Sequence, residues 1–231
     1  MSEAMPEAQL EAKSEAESQA ESGAVSPGAG APEPGTVRPG GRTARVRTAV
    51  LRAAGDVLAE HGFAHLDLAD VARRAGVGKT TVYRRWGSAT ALVADLLCDM
   101  AEQSLPRVDT GSALGDLRAN AELVRRTLAD ERQGALFRAV IAAGACDART
   151  ASALRRFYEV RVAEWEPCVT AAVARGEFPE GTDAGAVVRA VSAPLYYGLL
   201  TTGAAPDPAD ADRAARAAAA AAAAGVYVPS G

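Results

Sequence analysis

From Thr43 almost to the C-terminus, apolar residues recur at helical spacing, and no stretch alternates strictly as a half-buried strand would. That pattern restricts the chain to packing helix on helix. Val46, Val50, Ala53, Val57 and His61 form one stripe of a helix that ends at Gly62. Leu68, Val71, Ala72 and Ala75 form a second, short stripe behind Asp67, a residue suited to cap a helix start, and Gly76 ends it. A third short helix is expected from Lys79 to about Trp86, and Ser88 caps a fourth with Leu92, Leu96 and Met100 on one face. Beyond Pro106 come longer stripes: Leu114, Leu117, Ala121, Val124 and Leu128; then Leu136, Val140 and Ala143; then Leu154 through Val173 in a helix bent at Pro167. Val188, Val191, Leu195 and Leu199 mark a further helix with a bend at Pro194, and an alanine-rich helix closes the chain before Gly225. The expected fold is all-α, with about nine helices.

Residues 1–41 depart from this pattern. They are rich in Glu, Ala, Ser, Gly and Pro and almost lack large apolar residues, so burial cannot offset the entropy of ordering them. A disordered acidic tail is expected there. Glu3, Glu7 and Glu11 stand where a secretory signal needs positive charge, and no apolar run reaches the length of a membrane span. Cys98, Cys146 and Cys168 are odd in number and widely separated, which suits buried thiols in a reducing compartment. A cytoplasmic location and no membrane partner are expected.

The net charge of −4 conceals an uneven distribution. Residues 1–41 carry −5, residues 42–86 carry +5, and residues 87–231 carry −4. Concentrated positive charge makes a polyanion a reasonable partner despite the acidic average. Residues 67–86 (DLADVARRAGVGKTTVYRRW) are the most informative stretch. Two short helices meet at an Ala-Gly-Val-Gly turn. Val82 and Trp86, four apart, face the same core as Val71 and Ala75, so Lys79, Thr80, Tyr83 and Arg84 point outward with Thr81 and Arg85 on the flanks. A short exposed helix of this kind suits a major groove: Lys and Arg reach guanine O6 and N7, and hydroxyls bond phosphates or base edges.

With these residues the chain resembles the TetR family of transcriptional regulators. RTAVLRAAGDVLAEHGF and VARRAGVGKTTVYRRWGSATAL are similar to its N-terminal DNA-binding domain, and SAPLYYGLLTTG is more loosely similar to its ligand-binding domains. The resemblance implies a helix-turn-helix domain over residues 42–88 and a helical effector-binding and dimerisation domain over residues 89–231. It implies a homodimer on double-stranded operator DNA, most simply a repressor released by a small-molecule effector, with no cofactor. It assigns Lys79, Thr80 and Arg84 to bases, and Thr81, Tyr83 and Arg85 to phosphates. Where the family usually has a Lys after the cap of the fourth helix, this chain has Ala89; Arg42, Arg45 and Arg47 are expected to supply phosphate contacts instead. An activator of the same fold, or a helical binding module whose helix-turn-helix is only structural, are the alternatives.

Other motifs are weaker. RAGVGKTT resembles a phosphate-binding loop, but Arg73 stands where that pattern needs glycine, and the segment before it is helical in period. His61 and His65 flank Gly62 and Phe63 with no third ligand near, so no metal is expected. No paired carboxylates and no nucleophile elbow occur, so no catalytic residue and no enzyme activity are expected. The large residues of the second half, Phe137, Phe157, Tyr158, Trp165, Tyr196 and Tyr197, read as core, some of it lining an apolar cavity between helices. Phe137, Phe157 and Trp165, with Arg138 and Arg161 placed to meet an anionic group, form the expected effector pocket.

Overall fold

Short polar residues decide where the helices begin. A computed structural model describes residues 41–103 and 107–229. Its helices are α1 (Gly41–His61), α2 (Leu68–Arg74), α3 (Lys79–Trp86), α4 (Ala89–Glu102) and α5 (Ala113–Ala129). They continue with α6 (Glu131–Cys146), α7 (Ala148–Ala174), α8 (Ala184–Thr202) and α9 (Pro208–Ala223). A single 3-10 turn, Phe63–His65, links α1 to α2. The fold is all-α, and no strand occurs among the described residues. Asp67, Ser88, Ser112, Asp130, Asp147, Asp183 and Asp207 each accept a backbone N–H from the first turn that follows. Each such cap is worth about 1 kcal/mol. The acidic segment, read as disordered, lies outside the described residues except for Gly41.

The apolar stripes close two cores. One joins Val50, Leu51, Val57, Leu58, Val71, Val82, Leu92 and Leu97 of the first four helices to Leu136, Phe137, Phe157, Leu195 and Leu199 of the later ones. The second gathers Leu117, Trp165, Val169, Val187, Val188 and Val191 around α9, whose Ala211, Ala215, Ala218 and Ala222 form its buried side. Side chains of one carbon let α9 lie close against α5 and α8, with which it packs. α4 packs along α7, and α1 against α6, so the first helices are continuous with the body of the protein. α7 and α8 run through Pro167 and Pro194, and both prolines are exposed.

Some residues lie differently from expectation. Tyr197 is not core: it is 71% exposed on the outer side of α8, near Leu200 at 46%. Only Cys168 is buried; Cys98 is half-buried and Cys146 is exposed at the end of α6. Burial pushes the Cys168 thiol up to about 11. α5 buries two polar residues beside its apolar stripe, Asp116 and Asn120. Asp116 accepts from Thr110 N–H at 2.7 Å and Thr110 Oγ1 at 2.8 Å, which ties down the loop before α5.

The turn between α5 and α6 is tight. A Cβ on buried Gly134 would run into the carbonyl oxygen of Leu128. Gly134→Ala should therefore destabilise the protein by about 1–3 kcal/mol, although alanine is the better helix former. Urea unfolding of the variant against the parent checks this, and a more stable variant would show that the two helices can separate freely.

Candidate functional site

The segment over residues 67–86 is built from its buried side outward. Asp67 caps α2 by accepting the Asp70 N–H, and Val71 and Ala72 are fully buried. The chain leaves α2 through Gly76, whose φ of 65° is one that a side chain resists. Val77 N–H then returns to the Ala72 carbonyl at 2.9 Å, which fixes the angle at which α3 departs. α3 has eight residues, about 12 Å of helix. Val82 and Trp86 anchor it in the core at 0% and 8% exposure. Lys79, Thr80, Tyr83, Arg84 and Arg85 stand exposed, with Thr81 half-buried at a shallow groove beside Thr43, Val46 and the turn glycines.

The electrostatics separate these cations from their neighbours. Arg73 and Arg74 are bound to Asp70, and Arg74 also reaches Glu60 at 2.6 Å. Among the described residues, no carboxylate pairs with Lys79, Arg84 or Arg85. Arg85 lies over the Trp86 ring at 5.2 Å, a cation–π contact that steadies its long side chain. α3 thus presents a fixed row of hydroxyls and of positive charges that make no direct ion pair. Arg45 is exposed on α1; the side chain of Arg42 lies outside the described residues.

Arg47 does not belong to that row. Its guanidinium is turned inward, Nη2 donating to Asp95 Oδ1 at 2.8 Å and Nη1 to Asp99 on α4. Trp86 Nε1 donates to the other oxygen of Asp95 at 2.9 Å. One carboxylate therefore ties α1, α3 and α4 together. Burial alone would raise the Asp95 carboxyl, but the bonds from Arg47 and Trp86 outweigh it and hold it below the usual range.

A cavity of about 670 Å³ lies behind these helices, enclosed by α1 and α4 to α8. Phe137, Phe157, Arg161 and Trp165 line it; Arg138 does not, and is exposed on the outer side of α6. Phe137, Phe157, Tyr158 and Tyr196 form a closed cycle of aromatic contacts, with centroids 5.3–5.9 Å apart. Arg161 is not a free anion receptor. It donates to the Met100 carbonyl, to the Gln103 carbonyl at 2.8 Å and to Glu164 at 2.8 Å, and it lies 5.3 Å over the Phe157 ring. The end of α4 is thereby bound to the cavity wall. Periodicity does not single out Asn120 or Gln103, and it marks Met100 only as part of the α4 stripe; only an Asn within an apolar stripe points to the first. Among the described residues no group of three His, Cys, Asp or Glu side chains is placed to hold a metal. No described helix is long and apolar enough to cross a membrane.

Residues 50–96 match the family described as bacterial regulatory proteins, tetR family, and residues 107–218 match the tetracyclin repressor-like C-terminal domain. The chain is 33% identical over 156 residues to the uncharacterized HTH-type transcriptional regulator YdeS of Bacillus subtilis, covering 67% of this chain and 78% of YdeS. It is 32% identical over 148 residues to the HTH-type transcriptional regulator AqdR of Rhodococcus erythropolis, covering 64% of this chain and 70% of AqdR. Its fold is similar to that of Salmonella enterica GusR, with a TM-score of 0.60 at 22% identity over 79% of this chain and 95% of that one.

Asp95→Asn should lower stability by about 1–3 kcal/mol at neutral pH, the usual worth of hydrogen bonds to a charged group. The folded carboxyl titrates below its unfolded value near 4, so this contribution is complete above about pH 4 and lost as pH falls through the folded value. Unfolding curves of parent and variant should converge in acid. A constant gap across pH would remove the ionic role assigned to Asp95.

Proposed function

The chain belongs to the TetR family of bacterial regulatory proteins, and from that premise we propose that α3 is laid into the major groove of an operator by a homodimer whose hold is released by a small-molecule effector. As a member it is a helix-turn-helix transcriptional regulator. The observation that carries the specific reading is the set of cations on α3 that no carboxylate neutralises, mounted on buried Val82 and Trp86. Lys79, Thr80 and Arg84 point where base edges would lie; Thr81, Tyr83 and Arg85 flank them toward the phosphates. Arg45 adds a further phosphate contact. Arg47 is excluded from that role and instead sets the pose of α3.

One eight-residue helix reads too few base pairs for specificity, so two copies on a two-fold operator follow, with half-sites a helical turn or a multiple apart. The outer face of α8, with Tyr197 and Leu200 exposed, supports a subunit interface built from α8 and α9. Repression is the simplest outcome of such binding. The cavity supports the effector role. Its wall residue Arg161 grips the last carbonyls of α4, and Asp95 on the same helix grips Trp86, so α4 joins an occupant to the reading helix. An occupant that displaces the end of α4 shifts the spacing of the two α3 helices across the dimer.

Footprinting and salt-dependent gel shifts on DNA upstream of the protein's own gene test this reading. Lys79→Ala and Arg84→Ala should each cost about 1–3 kcal/mol and relax specificity at one base pair per half-site. Arg85→Ala should weaken all sequences alike and lower the salt slope by about 1 for each phosphate left without its cation. Wild-type affinity in both base-contact variants at equal salt would displace α3 as the reading helix. Linkage also requires operator DNA to weaken effector binding by the factor by which effector weakens operator binding, commonly about 5- to 150-fold. Calorimetric titration of effector with and without operator measures this factor, and equal affinities would exclude the release mechanism.

A further inference from the structure

One lining residue of the cavity carries a polar atom whose needs the protein does not meet. Asn120 is 4% exposed, and its Oδ1 is the one buried side-chain atom without a hydrogen-bond partner among the described residues. Asp116, one turn earlier on α5, is as deeply buried, but Thr110 satisfies it. The two differ in place, since Asn120 is a lining residue of the cavity and Asp116 is not. A buried acceptor left unpaired is costly, and a donor brought in by a ligand removes that cost.

Most of the charged groups around the same space are already paired. Asp56 pairs with Arg132 at 2.6 Å, Glu164 with Arg161 at 2.8 Å, and Asp99 with Arg47. The other lining cation, Arg52, is exposed. An ionised ligand would shed its hydration inside, with only Arg52, which water already solvates, left unpaired among the described lining charges. The rest of the lining is the aromatic cycle, Trp165 and aliphatic side chains, with Thr48, Thr127, Gln133 and Ser192 among them. Burial keeps both tyrosines neutral, Tyr196 pushed up to about 12 and Tyr158 higher still. At about 670 Å³ the space suits a small organic molecule rather than a peptide.

We propose that the cavity binds an uncharged aromatic compound whose hydroxyl or N–H group donates a hydrogen bond to Asn120 Oδ1, with its rings against Phe137, Phe157, Tyr158 and Tyr196. The proposal rests on the effector reading of this cavity and names the class of effector. It assigns specificity to Asn120 and leaves Arg161 as a coupling residue.

Three biphenyls matched in size test it by calorimetry on the full chain: 4-phenylphenol, 4-methoxybiphenyl and biphenyl-4-carboxylate. The phenol should bind about 10-fold more tightly than the ether, which cannot donate, and more tightly than the carboxylate, which is ionised. Asn120→Leu should abolish the preference for phenol over ether while retaining aromatic binding. If that variant fails to fold, the ratio measured on the parent protein still decides. An ether as tight as the phenol, a carboxylate tighter than both, or no binding by any of the three would overturn the proposal. Operator affinity of the same samples is measured separately. Retained DNA binding with no phenol preference removes the ligand class alone, whereas lost DNA binding with the preference intact removes the regulatory reading alone.

Discussion

A single carboxylate, that of Asp95, ties α3 to its neighbours. Both of its oxygens accept from the guanidinium of Arg47 on α1, and Oδ2 also takes the indole N–H of Trp86 from α3. Apolar packing of Val82 and Trp86 seats α3 in the core, but packing is tolerant of small rotations. Directed bonds to a part-buried charge are much less so. Because Asp95 belongs to α4, the pose of α3 is referred to α4 as well as to α2, with which it shares its turn.

α4 is gripped a second time, near its C-terminal end, by Arg161 of α7. Its two attachments face different ways, one toward the cationic side of α3 and one toward the cavity. A helix is stiff along its axis, so a displacement at one end is delivered at the other rather than absorbed between them. Two features of the sequence with no evident connection, an Arg near aromatics in α7 and a Trp at the end of α3, are mechanically joined through the stretch of α4 from Asp95 to Met100.

The helix-turn-helix is legible in the sequence because its determinants are local. Asp67, Gly76, the i, i+4 pair Val82 and Trp86, and the polar residues between them declare themselves within twenty positions of chain. The cavity aromatics are legible as a class, since large apolar residues on facing helices have few other uses. Partners distant in sequence are not legible. Arg47 reads as one more basic residue near a basic motif, and its carboxylates lie 48 and 52 residues away. Arg138 and Arg161 look equivalent beside aromatics, yet one faces out of α6 and the other finds carbonyls on α4. Asn120 interrupts an apolar face, and periodicity alone treats an interruption as noise. Residue type places Tyr197 and Cys146 in the interior, but it ignores that α8 has an uncovered side and that α6 ends at the surface.

The alanine side of α9 has an evolutionary consequence. An interface made of single methyl groups spreads its cohesion over many small, nearly equal contributions, so no one position is a keystone. Shortening one of them to glycine costs the helix about 1 kcal/mol in backbone freedom, whereas enlarging one wedges apart three helices at once. Such a seam is confined from both sides, so variation in this part of the chain should collect on the water-facing side of α9 while the inner side stays confined to alanine.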